Sequence, residues 1–398
     1  MFPSGGKDEQ LSAELAGRNS DVRYSHEPAM GTASIRRSVR ALTRRVREAR
    51  MFVHSLKHPY HPVVAQIVPT RRCNLSCTYC NEYDQTSDPV PTEEMFGRID
   101  RLAQLGTGII TLSGGEPLLH PHAEDLVARI RDRGAIATLI TNGYLLTRAR
   151  IARLNAAGLD SLQISIDNVT PDEVSKKSLK VLDQKLRWLA EEADFQVTVN
   201  AVLGGGIRHP EDALVVARRA RDLGFQSTVG IIHESGGRIR PLSAREQAIL
   251  REVSALNRPL FSFDRYNRFQ ETLARGEPCE WHCRAGSRYL YICEDGLVHY
   301  CSQQRGFPGI PLTDYTVEDM RREGDSVKSC APYCTIGCVH RVAMIDDLRE
   351  NPTGTLESWF ASPGSTSDVP LPVRALLHIF VTGPTRTVAR RAVGRLLE

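Results

Sequence analysis

The chain has 398 residues, a formal net charge of +4, 41% hydrophobic residues and ten cysteines. That length suffices for one large domain and a smaller one, and the small net charge excludes a polycation of the nucleic-acid-binding type. No apolar run approaches the roughly 18 residues of a membrane-spanning helix, and the polar N-terminus does not resemble a secretory signal. We therefore expect a cytoplasmic protein, in which clustered thiols indicate metal binding rather than disulfides.

For the N-terminal segment 1–62, composition and apolar periodicity predict a disordered tail followed by one basic amphipathic helix over 33–56. From 63 to 260, short apolar strands alternate with helices of ten or more residues. The predicted strands are 63–68, 108–112, 136–140, 162–166, 195–203 and 227–232, and the predicted helices are 92–105, 123–133, 147–157, 176–193, 211–223 and 243–257. Such repeated βα units are typical of an α/β fold with a parallel sheet, either doubly wound or a partial barrel. In both folds the functional site lies at the C-terminal ends of the strands.

The pattern changes after residue 260. The segment 261–345 contains seven of the ten cysteines and predicts a small Cys-rich α+β domain. The remaining 346–398 segment begins with a linker rich in Pro, Ser and Gly and predicts a second basic amphipathic stretch over 373–397.

Three cysteines follow the first predicted strand closely. Cys73, Cys77 and Cys80 have three and then two residues between them. A four-iron cluster has four corners, so three thiolates leave one iron free, whereas structural clusters normally use four cysteines. The alternative is a structural zinc or cluster site whose fourth ligand comes from elsewhere in the chain.

Small and polar residues stand at the ends of the next three predicted strands. They are Gly114, Gly115, Glu116 and Pro117 after the second strand, Asn142 after the third, and Ser165 and Asp167 at the fourth. Glycines let a ligand approach the backbone closely, and Glu116 or exposed carbonyls can receive an ammonium group. Each residue alone is more often a turn or cap residue, but equivalent positions in successive units indicate one shared ligand site.

These features together resemble the radical S-adenosylmethionine (SAM) superfamily, whose motif has three cysteines so spaced and an aromatic residue, here Tyr79, before the last. The resemblance covers roughly 63–235 and implies a partial (β/α)6 TIM-like barrel. It also implies a [4Fe–4S] cluster on Cys73, Cys77 and Cys80, with SAM chelated to the free iron. The cofactor contacts that it implies are Tyr79, Gly114, Gly115, Glu116, Pro117, Asn142, Ser165 and Asp167.

The resemblance implies an oxidoreductase or transferase that cleaves SAM reductively to a 5′-deoxyadenosyl radical, which then abstracts hydrogen from a substrate carbon. Such an enzyme would need an electron donor such as flavodoxin or ferredoxin. No motif names the substrate. Candidates for contacting it follow the sixth predicted strand: His233, Glu234, Arg238 and Arg240.

A second set of cysteines occupies the C-terminal region. A predicted hairpin with its turn at Asp295-Gly296 would bring Cys283 and Cys301 together. Three more thiols follow on one short segment: Cys330, Cys334 and Cys338. Zinc held by four thiolates remains an open alternative for this set.

This region resembles the auxiliary-cluster domain called SPASM and its shortened form, twitch, which follow many radical SAM barrels. The second half departs from the full SPASM pattern, which favours twitch and one auxiliary [4Fe–4S] cluster that relays electrons. The resemblance implies Cys283 and Cys301 as two ligands, completed from Cys330, Cys334 and Cys338, with Cys330 and Cys334 preferred. The cysteines and histidines left over, expected to be structural, are Cys279, Cys293, His282, His299 and His340.

The basic helix over 33–56 has two interpretations: its apolar stripe packs on the barrel, or it contacts anionic lipid headgroups at a membrane surface. Nucleic-acid binding is not expected, because aromatic residues are not interleaved with the arginines. The leading function is radical SAM chemistry on a small-molecule or lipid-linked substrate. A SPASM-type peptide maturase is the alternative, although no three-strand leader-binding pattern precedes the barrel. A non-catalytic iron–sulfur or zinc protein is the third interpretation.

Overall fold

A computed structural model describes residues 32–233, 239–256, 269–351 and 354–355. The chain divides into two compact units, Met1–Val39 and Arg40–Glu398. The tail predicted over 1–30, the basic stretch predicted over 373–397, and the candidates Glu234 and Arg238 lie outside the described residues.

Nine strands in the described part of the chain form one sheet. They are β1 (Val64–Thr70), β2 (Ile109–Gly114), β3 (Ile136–Thr141), β4 (Ser161–Ser165), β5 (Gln196–Gly204), β6 (Gln226–Ile232), β7 (Tyr289–Ile292), β8 (Leu297–His299) and β9 (Pro308–Pro311). Their spatial order is β6-β5-β4-β3-β2-β1-β7-β8-β9. Strands β1 to β6 pair in parallel, as predicted, and the sheet is open rather than a closed barrel.

Helices alternate with the parallel strands. The described helices are α1 (Thr32–Lys57), α2 (Thr92–Gln104), α3 (Ala123–Asp132), α4 (Arg148–Ala157), α5 (Leu179–Glu192), α6 (Asp212–Asp222), α7 (Ala244–Leu256), α8 (Phe269–Ala274), α9 (Val317–Asp325) and α10 (Gly337–Glu350). The helices between the parallel strands bury apolar residues, as α2 does with Met95, Ile99 and Leu102. The α/β fold class and the six strand–helix units are therefore confirmed.

One predicted helix begins later than expected. The prediction placed its start at residue 176, but α5 begins at Leu179, with Ser178 in an extended conformation at its N-cap. Ser178 makes no side-chain capping bond; instead, the Asp167 N–H donates to Lys177 O and the Leu179 N–H donates to Asn168 O, both at 2.9 Å, which holds this segment extended. As a result, Lys177 lies with Ser175 in the loop after β4 rather than on the helix.

The Cys-rich segment continues the same sheet. Strand β7 pairs in parallel with β1, with Val64 opposite Tyr289, and β7, β8 and β9 then pair antiparallel. Arg288 stabilises this junction. Its fully buried guanidinium donates to Asp346 Oδ2 at 3.0 Å and to Ser55 O at 2.5 Å. The division predicted at residue 260 stays a prediction, but the sheet runs across it.

No helix within the described ranges is both long enough and apolar enough to span a bilayer.

Candidate functional site

The loop after β1 carries the first three cysteines and is closed by its own backbone. The Cys73 N–H donates to Asp84 O at 3.0 Å, and the Asp84 N–H donates to Arg71 O at 2.9 Å. Within the loop, the Cys80 N–H donates to Cys77 O at 3.1 Å. These bonds fix the ends of the loop without using the thiols, which leaves the thiols free to bind a ligand.

The end of β2 packs tightly on the start of this loop. The Gly115 N–H donates to Thr70 O at 3.1 Å, and a Cβ on Gly115 would lie 2.1 Å from Arg71 O. Gly114 has φ +113°, a conformation that favours glycine, and a Cβ there would lie 2.7 Å from Thr70 O. The two glycines therefore allow the backbone of β2 to support the cysteine loop, in addition to the ligand approach predicted from the sequence.

The strand ends and the cysteine loop line one cavity of about 210 Å³. It contains all three predicted cysteines, Cys73, Cys77 and Cys80. The predicted cofactor residues on its wall are Tyr79, Gly114, Gly115, Asn142 and Ser165. The structure thus brings these residues together at the C-terminal edge of the parallel strands.

Hydrogen-bond donors point at the Cys73 sulfur. The Asn142 side-chain amide lies 3.7 Å from Cys73 Sγ and also donates to Asn74 Oδ1 at 2.7 Å. The Leu75 N–H donates to the same sulfur at 3.4 Å. Burial raises the pKa of the Cys73 thiol to about 11, so these donors partly offset the cost of holding a thiolate there.

Glu116 has a different environment from the one the sequence led us to expect. Its buried carboxylate accepts from Thr141 Oγ1 at 2.7 Å and from the Asn142 N–H at 2.8 Å, while Leu118 N–H donates at 3.0 Å. Burial raises the pKa of this carboxyl. Because both oxygens already accept from the protein, the geometry favours backbone carbonyls over Glu116 for an ammonium group. Pro117 begins a buried turn behind the cavity.

A charged network lies beside Cys77. The Tyr79 hydroxyl donates to the Asp167 carboxylate, and Lys177 Nζ donates to the Tyr79 oxygen at 2.5 Å and lies 3.2 Å from Asp167 Oδ2. Ser175 Oγ donates to Asp167 Oδ2 at 2.7 Å and lies 3.4 Å from Cys77 Sγ. Burial lowers the pKa of Lys177, but attraction by Asp167 and Tyr79 outweighs it and raises that pKa well above its usual value. The network therefore holds a permanent cation at the wall of the cavity.

Sequence reasoning missed Ser175 and Lys177, because it placed Lys177 on the helix and gave Ser175 no role. The loop after β4 folds back on the cysteine loop, where Thr78 N–H donates to Val174 O at 3.0 Å. A serine directly before an apolar helix pattern is an N-cap signal. Ser178 carries that signal, and it would have assigned Lys177 to the loop.

The spacing of the cysteine sulfurs distinguishes a zinc site from an iron–sulfur cluster. Four thiolates around one zinc, with Zn–S bonds of about 2.3 Å, place their sulfurs about 3.8 Å apart. Within the described ranges, neither predicted cysteine set brings three ligand atoms within 4.8 Å of one another. A cluster spreads its thiolates over different irons and so needs a wider set. The buried Asp167 Oδ1 has no protein hydrogen-bond partner, which fits a site that also holds a polar ligand.

One compact set of three ligand atoms does occur in the described ranges, at Cys293, Asp295 and His299. The Gly306 N–H donates to His299 Nδ1 at 2.8 Å, so the proton of the neutral ring lies on Nε2. That nitrogen faces Asp295 Oδ1 at 3.5 Å. A protonated nitrogen cannot bind a metal ion, and this arrangement is consistent with the structural role predicted for His299 and Cys293.

Four cysteines of the second set are electrostatic neighbours. Burial first, and then the charges of Cys283 and Cys330, raise the pKa of Cys301 to about 12. The pKa of Cys334 is raised by burial and then by the charges of Cys283, Cys301 and Cys330. These effects place Cys283, Cys301, Cys330 and Cys334 near one another, and their binding of one cluster stays a prediction.

Cys338 has other neighbours. Burial raises the pKa of its thiol, whereas a hydrogen bond with the Tyr289 hydroxyl and the charge of Arg341 lower it. Tyr289 in turn donates to Gln66 Oε1 at 2.7 Å. Cys338 thus joins a hydrogen-bonded chain that leads into β1, although it also packs against the buried cluster that contains Cys283 and Cys301.

The remaining predicted polar residues support or border the second set. The His340 ring stacks between Phe269 and Trp281, at 3.9 and 3.8 Å between centroids, and its Nε2 lies 2.9 Å from Cys334 O. His282 Nε2 lies 2.7 Å from Gly324 O. Both histidines therefore contact backbone carbonyls, as structural residues do.

Two of the four candidate substrate contacts can be located. His233, directly after β6, lies 3.5 Å from Thr335 Oγ1, next to Cys334. Arg240 is exposed. The end of β6 therefore faces the second cysteine set. A contact between His233 and a substrate at this rim stays a prediction.

Comparison with known protein families matches residues 67–234 to the radical SAM superfamily. This match covers both the three-cysteine loop and the strand ends that line the cavity. The chain therefore contains a radical SAM domain over residues 67–234, and proteins with this domain use a [4Fe–4S] cluster and S-adenosylmethionine. The Cys-rich region is consistent with the predicted SPASM or twitch type.

Individual relatives share part of the chain. A PqqA peptide cyclase of Bradyrhizobium diazoefficiens is 34% identical over 154 residues, which cover 36% of this chain and 39% of the relative. A GTP 3′,8-cyclase of a Synechococcus species is 35% identical over 184 residues, 41% of this chain and 53% of the relative. The alignments thus span less than two thirds of these relatives.

A solved structure shares the fold over most of the chain. It is the crystal structure of Streptococcus suis SuiB bound to precursor peptide SuiA, with a TM-score of 0.52 and 16% identity. The superposition covers 85% of both chains. At this identity the likeness shows the fold alone.

Proposed function

We propose that this radical SAM enzyme abstracts hydrogen from a small-molecule or lipid-linked substrate and belongs to the oxidoreductases or transferases. The observation that carries the proposal is the cavity in which Cys73, Cys77 and Cys80 face Asn142 and Lys177. Three thiols from one loop leave one side of a cluster open, and that side faces polar and charged groups.

In this proposal the three cysteines hold the [4Fe–4S] cluster, and the bound cofactors supply one-electron cleavage and hydrogen abstraction. Lys177 presents a fixed positive charge to a carboxylate in the cavity, while Asp167 Oδ1 accepts a hydrogen bond from a hydroxyl or ammonium group. Tyr79 and Ser175 orient the Asp167 carboxylate. The strands bury the floor of the cavity, which limits the access of water.

For the second set, we propose that Cys283, Cys301, Cys330 and Cys334 hold one auxiliary [4Fe–4S] cluster. Their mutual electrostatic effects support this choice, as does the separate hydrogen bonding of Cys338. A cluster with four cysteine ligands lacks an open iron, so it would relay electrons rather than bind substrate.

Anaerobic reconstitution with iron and sulfide tests the proposal. The expected result is iron for two clusters and formation of 5′-deoxyadenosine from SAM after reduction by dithionite, or by flavodoxin or ferredoxin as the donor. Iron binding without any deoxyadenosine would instead support a non-catalytic iron–sulfur protein, and stoichiometric zinc would support a zinc protein.

A peptide substrate is a second candidate. It is favoured by the PqqA peptide cyclase relatives and by a fold shared with SuiB, which has been solved with a precursor peptide. Deoxyadenosine formation can be measured with fractions of a cell extract added to the enzyme. Stimulation by an organic-solvent fraction that survives protease treatment supports the leading proposal, whereas protease-sensitive stimulation supports a peptide.

We also propose that α1 contacts an anionic membrane surface. Its inward arginines are already paired: Arg47 with Asp160, and Arg40 with Asp194 at 3.7 Å. Its outward face instead exposes one apolar stripe, Leu42 at 64%, Val46 at 42% and Val53 at 51%. The exposed Arg45 and Arg50 flank this stripe. An apolar stripe with flanking arginines is typical of interfacial helices. Because Leu42 and Val46 are exposed, the other interpretation, in which this stripe packs on the barrel, is wrong for this part of the helix.

Vesicle flotation of the full chain at low salt tests the membrane contact. We expect binding to phosphatidylglycerol-rich vesicles and none to phosphatidylcholine, because each arginine near an anionic surface contributes about 1 kcal/mol. Leu42→Ser with Val46→Ser should abolish flotation. Val215→Ser, at an equally exposed valine of α6 (45%), is the matched control. Wild-type protein that ignores anionic vesicles would refute the contact but not the radical chemistry.

A further inference from the structure

The two cysteine regions touch each other through the residues that directly follow Cys80 and Cys301. Asn81 Nδ2 donates to Gln303 Oε1 at 3.0 Å. Asn81 is one residue from Cys80, and Gln303 is two residues from Cys301. The two loops are therefore in direct contact close to a predicted cluster ligand of each.

Glu82 is the centre of this contact. The Tyr291 hydroxyl donates to Glu82 Oε1 at 2.9 Å, and the Ser302 hydroxyl also donates to the Glu82 carboxylate. Arg305 and Arg71 supply positive charge around it. Thus a carboxylate from the first loop receives most of its partners from the second region.

The partners of Glu82 are themselves well fixed. Tyr291 is fully buried in β7, the strand that pairs with β1, and the Arg305 guanidinium lies 5.8 Å from the Tyr291 ring centroid. Ser302 is bonded covalently to Cys301. Glu82 is held by the rigid strand β7 on one side and by Ser302, the neighbour of a proposed cluster ligand, on the other. A displacement of one loop can therefore be transmitted to the other.

We propose that Glu82 is a positioning residue that couples the two cysteine loops, so that the environment of an auxiliary cluster at Cys301 depends on the loop that carries Cys80. The inference rests on the proposed function, since it requires an auxiliary cluster at Cys301. The route between the two ligands contains the covalent segment Cys80 to Glu82, one hydrogen bond, and the covalent segment Ser302 to Cys301. Glu82 also lines the cavity of the first site, and the role proposed here is to hold the geometry of the two loops.

A neighbouring ion pair supplies a matched control. Arg71 Nη1 lies 3.4 Å from Glu294 Oε1, and both side chains are about 30% exposed, at 26% and 31%. This pair also joins the two regions, but exposed ion pairs contribute only about 0 to 1 kcal/mol. Glu294→Gln therefore changes the same charge at the same junction without removing the bonds to Tyr291 and Ser302.

The experiment uses the full chain with Cys73, Cys77 and Cys80 replaced by alanine, so that only the auxiliary cluster remains. The loop ends should persist in this background because their hydrogen bonds are between backbone atoms. Electron paramagnetic resonance during a redox titration gives the spectrum and midpoint potential of the remaining cluster. Glu82→Ala, Glu82→Gln and Glu294→Gln are compared in this background.

Glu82→Ala should alter the auxiliary spectrum and shift its potential most. Glu82→Gln keeps an acceptor oxygen for Tyr291 and Ser302, so it should keep the spectrum and shift the potential less than Glu82→Ala does. Glu294→Gln should change neither.

The coupling would be overturned by a Glu82→Ala variant with full iron, unchanged spectrum and unchanged potential. If that variant fails to fold, Tyr291→Phe decides instead, since it removes the hydrogen bond to Glu82 Oε1, and an unchanged spectrum and potential there refute the coupling. A parent protein without auxiliary iron would refute the auxiliary-cluster proposal itself, and the coupling with it. Failure of the coupling alone, with auxiliary iron present, leaves the proposed function intact.

Discussion

The two cysteine sites differ in how the chain builds them. The first takes three thiols from eight consecutive residues of one loop, held by backbone bonds between Arg71, Cys73 and Asp84. The second takes its four proposed thiols from three separate segments that the β7–β8 hairpin and α10 bring together. Local spacing therefore defines the first site, whereas tertiary packing defines the second, and the two should respond differently to substitution.

The largest effect is expected at the first site. Replacing Cys73, Cys77 and Cys80 together with alanine should remove one cluster's iron and abolish 5′-deoxyadenosine formation, because no thiolate remains on the loop. Iron analysis and chromatography of the product check this. The auxiliary iron should remain, and deoxyadenosine production by the triple variant would refute the assignment.

At the second site, substitutions of different cysteines should have different effects on the auxiliary iron. Cys334→Ala should lower the auxiliary iron, as should Cys283→Ala with Cys301→Ala, while SAM cleavage at the first site continues. Cys338→Ala is the matched control, because Cys338 bonds to Tyr289 and lies outside the group of four thiols. Quantified iron and sulfide decide the matter. Equal iron loss in the Cys334 and Cys338 variants would contradict the proposed ligand set.

The sequence predicted what depends on local pattern. The six strand–helix units follow from periodic apolar residues, and Cys73, Gly114 and Asn142 converge because parallel strands end at one edge of the sheet. The pairing of β7 with β1 could not be predicted, since it joins segments more than two hundred residues apart. The partners of Glu116 were likewise hidden, because burial of a strand-end carboxylate depends on how neighbouring strands pack.

The junction between the two regions should be sensitive to acid. Burial, together with the nearby charge of Arg288, lowers the pKa of His61 from 6.5 to about 4. The unfolded state therefore binds more protons than the folded state, so the free energy of unfolding falls as the pH drops from about 6.5 to about 4. The expected loss is about 3 kcal/mol, at 1.36 kcal/mol per unit of pKa. Urea unfolding of wild type and His61→Gln measures it as the difference between their pH profiles, and parallel profiles would contradict it.

The smallest effects distinguish two glycines. A Cβ on Gly115 would lie 2.1 Å from Arg71 O, a backbone atom that cannot move without displacing the cysteine loop. Gly115→Ala should therefore destabilise the fold by about 1 to 3 kcal/mol, the usual cost of overpacking. It should also lower the iron bound at the first site while leaving the second site occupied.

Gly97, in the middle of α2, provides the opposite case, because a Cβ there meets nothing within 4 Å. Gly97→Ala should stabilise the chain by about 0.5 to 1 kcal/mol through the higher helix propensity of alanine. Thermal unfolding and the iron content of each site are compared for the two variants. If Gly115→Ala lowered the iron of both sites equally, the first loop would support the second site as strongly as its own cysteines. That result would mean that the two sites form one cooperative unit rather than one local and one distributed site.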